Sequence, residues 1–358
     1  LTGTIALGFH SWAAGAIGNR GQIMRRILRF IAIGLVGLLL LAGYFLYPPT
    51  PRTIRFPDGK QFAFSIVDDS DLATLERVRP VYEVLHRNGV RTTKTVWVFP
   101  TNNSSHETNQ GDSLADPDYR DFILELQALG FEIALHGVRG GSSPRAEIIA
   151  GLDEFKRVLG HDPTLHVNHS LNRDNVYWGS ARWSFAPLRW LYSLGTERKF
   201  DGENPASPYF WGDELRARIK YVNQFTFGRI NLLSITPSIP YRLTDRPQVN
   251  FWFPTADGDN LDRFLELLSP DNLDRLEREG GLCLVYAHMG AGSFNRGSGV
   301  DPRFEARIKD LASRDGWFAP ASEILDYMQQ QPGFEPELDF REAVRLDILF
   351  LWNYLRRG

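Results

Sequence analysis

The chain has 358 residues, 43% of them hydrophobic and 13% aromatic, enough for one large α/β barrel or two ordinary domains. Lys and Arg number 40 against 43 Asp and Glu, a formal net charge of −3 with no basic run, which excludes nucleic acid as a partner. The single cysteine, Cys283, excludes an intrachain disulfide.

Residues 1–23 carry little pattern and precede Met24, the expected biological start. Arg25, Arg26 and Arg29 then flank an apolar run at 30–47, whose 18 residues without a charge reach the lower limit for a membrane span. Basic residues on the N-terminal side place that end in the cytoplasm and the remainder in the periplasm or outside the cell. No A-x-A cleavage site follows, so 24–47 is expected as an uncleaved single-pass transmembrane helix rather than a signal peptide. The segment 48–60 opens Pro48-Pro49-Thr50-Pro51, a stiff linker.

From 61 to 331 strand patterns (62–67, 93–99, 131–136, 164–168 and 282–288) alternate with helical ones (72–88, 118–129, 146–159 and 259–279). Such alternation predicts repeated βα units, hence an α/β fold with a parallel sheet or an irregular (β/α) barrel. The stretch 176–253, rich in Trp, Tyr, Pro and Asn, does not separate into elements and is assigned to later barrel units with long aromatic loops. The extension 332–358 carries a helical pattern at 338–355 that ends in Ile348-Leu349-Phe350-Leu351-Trp352. It is expected to dock on the barrel as a closing helix, in preference to lying on a membrane surface.

The chain is organised around FAFSIVDDSD, 62–71, a strand that ends in Asp68, Asp69 and Asp71. Ligands meet the carboxyl ends of strands in α/β folds, and adjacent buried carboxylates call for a cation or a shared proton. One of the three is expected to cap the following helix. Strand parity turns Phe62, Phe64 and Ile66 outward and Asp69 inward; it also turns Glu132 and His136 inward, and likewise His166 and Asn168. His169 lies just beyond that strand end. Asp69, His136 and His169, with His166 in reserve, are thus expected to form an open three-ligand site for a divalent metal, zinc by donor type. The glycine-rich stretch after His136 matches no phosphate-binding motif and is expected to bring Arg139 to a polar substrate. His288, at the end of a late strand, suits a general acid.

The acidic pair on the first strand, EIALHG at 132–137 and LVYAH at 284–288 resemble the polysaccharide deacetylase superfamily (carbohydrate esterase family 4, the nodulation-type chitooligosaccharide deacetylase homology domain) over roughly 62–330. The resemblance implies a metal-dependent deacetylase in which Asp68 is the general base, Asp69 binds the metal and His288 is the general acid. This chain departs from the family's H-x-x-x-H pair, because Gly140 stands four residues after His136; the Arg-x-Pro-x-Gly motif is also missing, and 166–174 stands in its place. The expected activity is removal of an acyl group, N-acetyl by preference, from a cell-envelope glycan, with Arg139, His166 and Asn168 meeting substrate. Two rivals are a glycoside hydrolase pairing Asp68 or Asp69 with Asp174 or Glu132, and a non-catalytic glycan-binding domain.

Overall fold

The computed structural model describes residues 28, 30–32, 35–37, 40–50, 52, 54–103, 105–195, 199–295, 297 and 299–357. The chain divides into two compact units, 1–47 and 48–358. In the first, the described residues up to 46 are helical. Among the described residues no helix is long and apolar enough to cross a membrane. The anchor expected at 24–47 lies partly outside those residues, and 1–23 lies outside them entirely.

The second unit is built on eight parallel strands: β1 (Phe62–Asp68), β2 (Thr93–Val96), β3 (Glu132–Leu135), β4 (Leu165–His166), β5 (Tyr221–Phe227), β6 (Phe251–Asp257), β7 (Leu282–Ala287) and β8 (Gly316–Phe318). Strands β1 to β7 follow one another in space, and β1 also pairs with β2, so seven strands close into a barrel. The closure is uneven. Only Val67 and Asp68 of β1 reach β2, whereas its first residues, Phe62 to Phe64, pair with β8. This is the irregular (β/α) barrel that the alternation predicts. The two strands unresolved in the sequence, β5 and β6, lie in the aromatic-rich middle, with a register shift between Asn223 and Thr226.

The described helices are α1 (Leu75–Arg87), α2 (Pro117–Ala128), α3 (Arg145–Leu159), α4 (Ala186–Leu194), α5 (Gly212–Arg218), α6 (Leu261–Leu267), α7 (Pro270–Arg278), α8 (Pro302–Ala312), α9 (Ala321–Gln329) and α10 (Phe340–Arg357). The helix expected at 259–279 is two, because Pro270 lacks the amide needed to continue α6 and instead begins α7. Every residue of β1 is buried. Phe62 and Phe64 meet Phe318 edge-on at 6.0 and 6.3 Å, fixing β8 against the barrel.

The terminal helix docks as expected. Phe350 stacks on Phe225 of β5 with ring centroids 4.6 Å apart. Asp347 accepts the amides of Ser184 and Phe185 at 2.8 and 2.7 Å. Asn353 accepts the Gly228 amide at 2.9 Å and donates to Thr226 O at 3.1 Å.

Candidate metal centre

The carboxyl ends of β1, β3, β4 and β7 meet at one mouth, and their acidic and imidazole groups divide into two sets. Asp68 belongs to the first. It is fully buried, 2.9 Å from Lys94 Nζ, and it accepts Tyr82 OH at 3.0 Å and the Met289 amide at 2.7 Å. Both carboxylate oxygens are engaged, and Asp68 does not line the cleft at the mouth. The general-base role that the resemblance implies for Asp68 therefore meets a closed ion pair. Strand parity explains this: Asp68 follows Phe62, Phe64 and Ile66 on the helix-facing side, towards Tyr82 of α1.

The second set faces the cleft. After Asp69 the chain does not enter a helix at residue 72. Leu72 takes a left-handed backbone (φ 61°), an uncommon state for a branched side chain, and donates its amide to Gln110 O. Helix α1 begins only at Leu75, whose amide is accepted by Asp112 from a neighbouring loop at 2.7 Å. The cap thus comes from Asp112, and none of the three strand-end aspartates supplies it. The turn carries Asp71 back over the mouth. Gly290 permits this fold-back, since a Cβ there would lie 2.4 Å from the Ala73 amide nitrogen.

Asp71 is consequently the carboxylate that closes on the imidazoles. Its Oδ1 is 3.1 Å from His169 Nε2 and 3.5 Å from His136 Nε2. Among the described residues, Asp71, His136 and His169 form one buried group whose ligand atoms lie within 4.8 Å of one another. Asp69, expected in this position, sits on the other side of His136, with Oδ1 3.7 Å from Nδ1. Atoms bound at about 2.0–2.2 Å around one ion stand about 3.0–3.6 Å apart, so the distances from Asp71 to the two imidazoles, 3.1 and 3.5 Å, fit a shared divalent cation. The hydrogen-bond accounting agrees. Both ring nitrogens of His136, Asp69 Oδ1 and Asp71 Oδ1 are buried without a hydrogen-bond partner, a costly state that a cation relieves.

Neighbouring groups aim the imidazoles. His169 Nδ1 is 3.1 Å from Asn172 Oδ1, an acceptor, so Nδ1 carries a proton, which leaves Nε2, on the side of Asp71, as the atom that would ligate a cation. Asn172 Oδ1 also accepts the Gly141 amide, and its Nδ2 donates to Arg139 O. Trp97 stacks near His136 at 6.3 Å, meets His169 edge-on at 5.8 Å and donates to His136 O. A Cβ on Gly140 would meet Asn109 O at 2.8 Å and the Trp97 ring at 3.0 Å. The glycine-rich loop is thus shaped by packing beneath the imidazoles.

His288 closes the site from β7. Its Nε2 is 3.0 Å from Asp71 Oδ2 and from Tyr286 OH, while Nδ1 is 2.8 Å from Asp259 Oδ1. Burial disfavours its charged form, but hydrogen bonds to Asp259 and Asp71 outweigh this and raise its pKa well above the usual range. Burial also pushes the Asp71 carboxyl up, yet the imidazoles of His136, His169 and His288 around it hold it well below the ordinary carboxylate range. For Asp69 burial wins, opposed by His136 and His288, and the carboxyl is raised to about 6.

The remaining expected site residues fall elsewhere. His166 is enclosed, with Nδ1 and Nε2 each 3.2 Å from Leu135 O and Asn168 Oδ1, and burial lowers its pKa to about 3 despite the Asn168 bond. Asn168 lines the cleft, but its amide is committed to Val176, whose N–H it accepts and whose carbonyl it meets. Arg139 lies over Phe99 and 3.5 Å from Glu147, away from the cleft lining. Asp174 and Glu132 are buried in bonds to Ser143, and to Thr93 and Ser322; neither lines the cleft, so the paired carboxylates of a glycoside hydrolase are not assembled there. Asp71, Asp259, Tyr286 and Arg182 were not singled out as site residues. Asp259 had a sequence signal, since Asp257-Gly258-Asp259 repeats an acidic strand end.

No protein-family profile matches the chain, and no curated protein matches it. Solved structures do. A probable polysaccharide deacetylase from Pseudomonas aeruginosa PAO1 aligns at TM-score 0.49 and 15% identity, covering 82% of this chain and 99% of that one. A protein assigned as a polysaccharide deacetylase from Mycobacterium smegmatis aligns at 0.47 and 15%, covering 82% and 98%. The Puue allantoinase aligns at 0.49 and 13%, covering 80% and 96%.

Proposed function

We propose that this protein is a metal-dependent hydrolase that removes an acyl group, N-acetyl by preference, from a cell-envelope glycan. The observation that carries the reading is the convergence of Asp71, His136 and His169 beside a histidine, His288, that is itself held by Asp259. Asp71, His136 and His169 would hold a divalent cation, zinc by the donor set, which would supply Lewis-acid polarisation of the acyl carbonyl and ease deprotonation of water. Asp69 lines the cleft next to the triad and is the carboxylate placed to accept the proton of the attacking water. His288, charged through Asp259 and Asp71, delivers a proton to the departing amine nitrogen as its bond to the carbonyl carbon breaks. Asp259 keeps the ring oriented. The cleft, about 420 Å³, carries Ser170 and Asn223 beside Trp178, Tyr286 and Tyr354, a mixture suited to hydroxyls and to the apolar face of a sugar ring.

The test is release of acetate from N-acetylated envelope oligosaccharides by the metal-loaded full chain. His288→Ala is expected to lower turnover about 10²–10⁴-fold while metal content stays the same. Unchanged turnover in that variant would remove the acid role. The arginine-flanked apolar run at 30–47 supports an anchor with the barrel outside the cytoplasm; a reporter fused after Gly358 that is active only inside the cell would contradict it.

A further inference from the structure

Beside the catalytic cleft lies a second hollow of about 150 Å³, lined by Trp178, Trp183, Tyr192, Phe350, Leu351 and Tyr354 together with Gly179 and Arg182. Four of these residues, Trp178, Arg182, Phe350 and Tyr354, also line the cleft that holds Asp69, Asp71 and His136. The two hollows therefore adjoin, with these four side chains as their common wall, polar on the side of the triad and aromatic on the other. Arg182 does not make the aromatic side polar. Its guanidinium lies over Trp178 at 3.7 Å and Phe350 at 4.9 Å, and it donates through Nε to Gln224 O at 2.8 Å.

The groove is preformed, because α10, which forms one wall, is fastened by Asp347, Phe350 and Asn353 as described above. Its other wall leads to α4, a helix with no buried residue. There Trp190, Leu191 and Leu194 are 64%, 59% and 65% exposed. An apolar rim of this kind on the outer side of an apolar groove marks a surface that meets hydrocarbon.

We propose that the substrate is an amphiphilic glycan: an N-acylated sugar that lies in the cleft and carries a hydrocarbon chain through the aromatic groove and out past α4. This rests on the deacylase reading above for the sugar end; the groove itself is independent of it. A chain threaded there removes apolar surface from water along its length, so affinity rises with each buried methylene.

The experiment is isothermal titration of the metal-loaded full chain with methyl and octyl β-glycosides of N-acetylglucosamine, the octyl compound kept below its micelle concentration. The octyl glycoside is expected to bind at least about tenfold more tightly than the methyl. In Leu351→Asp, and separately in Tyr192→Ser on the exposed side of the groove, that ratio should fall towards one. Equal affinities in the wild-type chain overturn the proposal, as does a ratio unchanged in both variants, which would place the chain elsewhere. Octyl β-glucoside, which has no acyl amide, separates the two readings. If it binds and weakens in Tyr192→Ser while neither acetylated glycoside is hydrolysed, the groove stands and the deacylase reading falls. If both acetylated glycosides are hydrolysed with the same kcat/KM, the deacylase reading stands and the amphiphile falls.

Discussion

Asp68 and Asp71 stand three residues apart, and both are buried, yet their surroundings are opposite. Around Asp68 each oxygen has a donor: Lys94, Tyr82 and the Met289 amide. Around Asp71 three imidazoles crowd one carboxylate, and buried atoms of Asp71, His136 and Asp69 stay unpartnered. A buried polar group without a partner costs about 1–3 kcal/mol, so a fold tolerates several together only where something else completes them. The closed set is scaffold. The open set is the candidate site.

The sharpest way to break this contrast is to remove a member of the open set. Asp71→Asn and His169→Ala should each take bound divalent metal, measured by elemental analysis, from about one per chain to near zero, with turnover lost alongside it. Chelation of the wild type should reproduce that loss without unfolding. Full metal content in both variants would mean that the triad is not the ligand set.

Removing a member of the closed set should act on the fold instead. Asp68→Asn leaves Lys94 charged, fully buried and without its carboxylate, and such uncompensated charge destabilises by about 3–5 kcal/mol in denaturant unfolding. Metal binding should persist. Some turnover should still be lost, because Asp68 Oδ1 holds the amide that follows His288. Combining Asp68→Asn with Lys94→Met should recover most of the stability, since the orphan charge is then gone. A single variant as stable as wild type would show that the pair contributes nothing to the fold.

A milder change lies one shell out. Asn172→Ala frees His169 Nδ1 and unties the loop at Arg139 and Gly141. Loss of such an orienting partner lowers metal affinity about 10–100-fold without abolishing binding, readable by competition with a chelator.

The contrast also explains what could be seen in the sequence. The barrel was legible because its strands are short apolar runs separated by helical ones, and periodicity reports burial. His136, His169 and His288 were legible as strand-end imidazoles. The roles of the aspartates were not. Parity already turned Asp68 away from the mouth, but the resemblance assigned it the catalytic place, and the local pattern gave no sign of Lys94, which joins it only through β1–β2 pairing. One of the three aspartates was expected to cap the next helix, whereas the return of Asp71 to the mouth depends on the left-handed turn at Leu72 and on Gly290, in the turn after β7 more than two hundred residues away. The aromatic groove depends on α4 and α10 coming together across the middle of the chain, a long-range contact that no local pattern encodes.

His166 sharpens the comparison at its weakest point, because it is an imidazole at the same mouth that belongs to the closed set. Each of its two acceptors already takes a backbone amide: Leu135 O from Val167, and Asn168 Oδ1 from Val176. Neither needs a second donor, so nothing local compels the ring to carry a charge, and burial lowers its pKa to about 3. The sign follows from that depression. Above the unfolded value of about 6.5 the ring is neutral in both states and its contribution is complete. As pH falls through 6.5 towards 3, the unfolded chain takes up a proton that the folded chain refuses, and stability declines. Between pH 6.5 and 5.5 the loss from this one residue should be about 1 kcal/mol in urea unfolding of the metal-free protein. His166→Gln keeps a hydrogen-bonding side chain but cannot titrate, so its stability curve should be flatter over that interval by the same amount. Parallel curves for wild type and variant would mean that His166 is protonated in the folded state and belongs, with His136 and His169, to the open set.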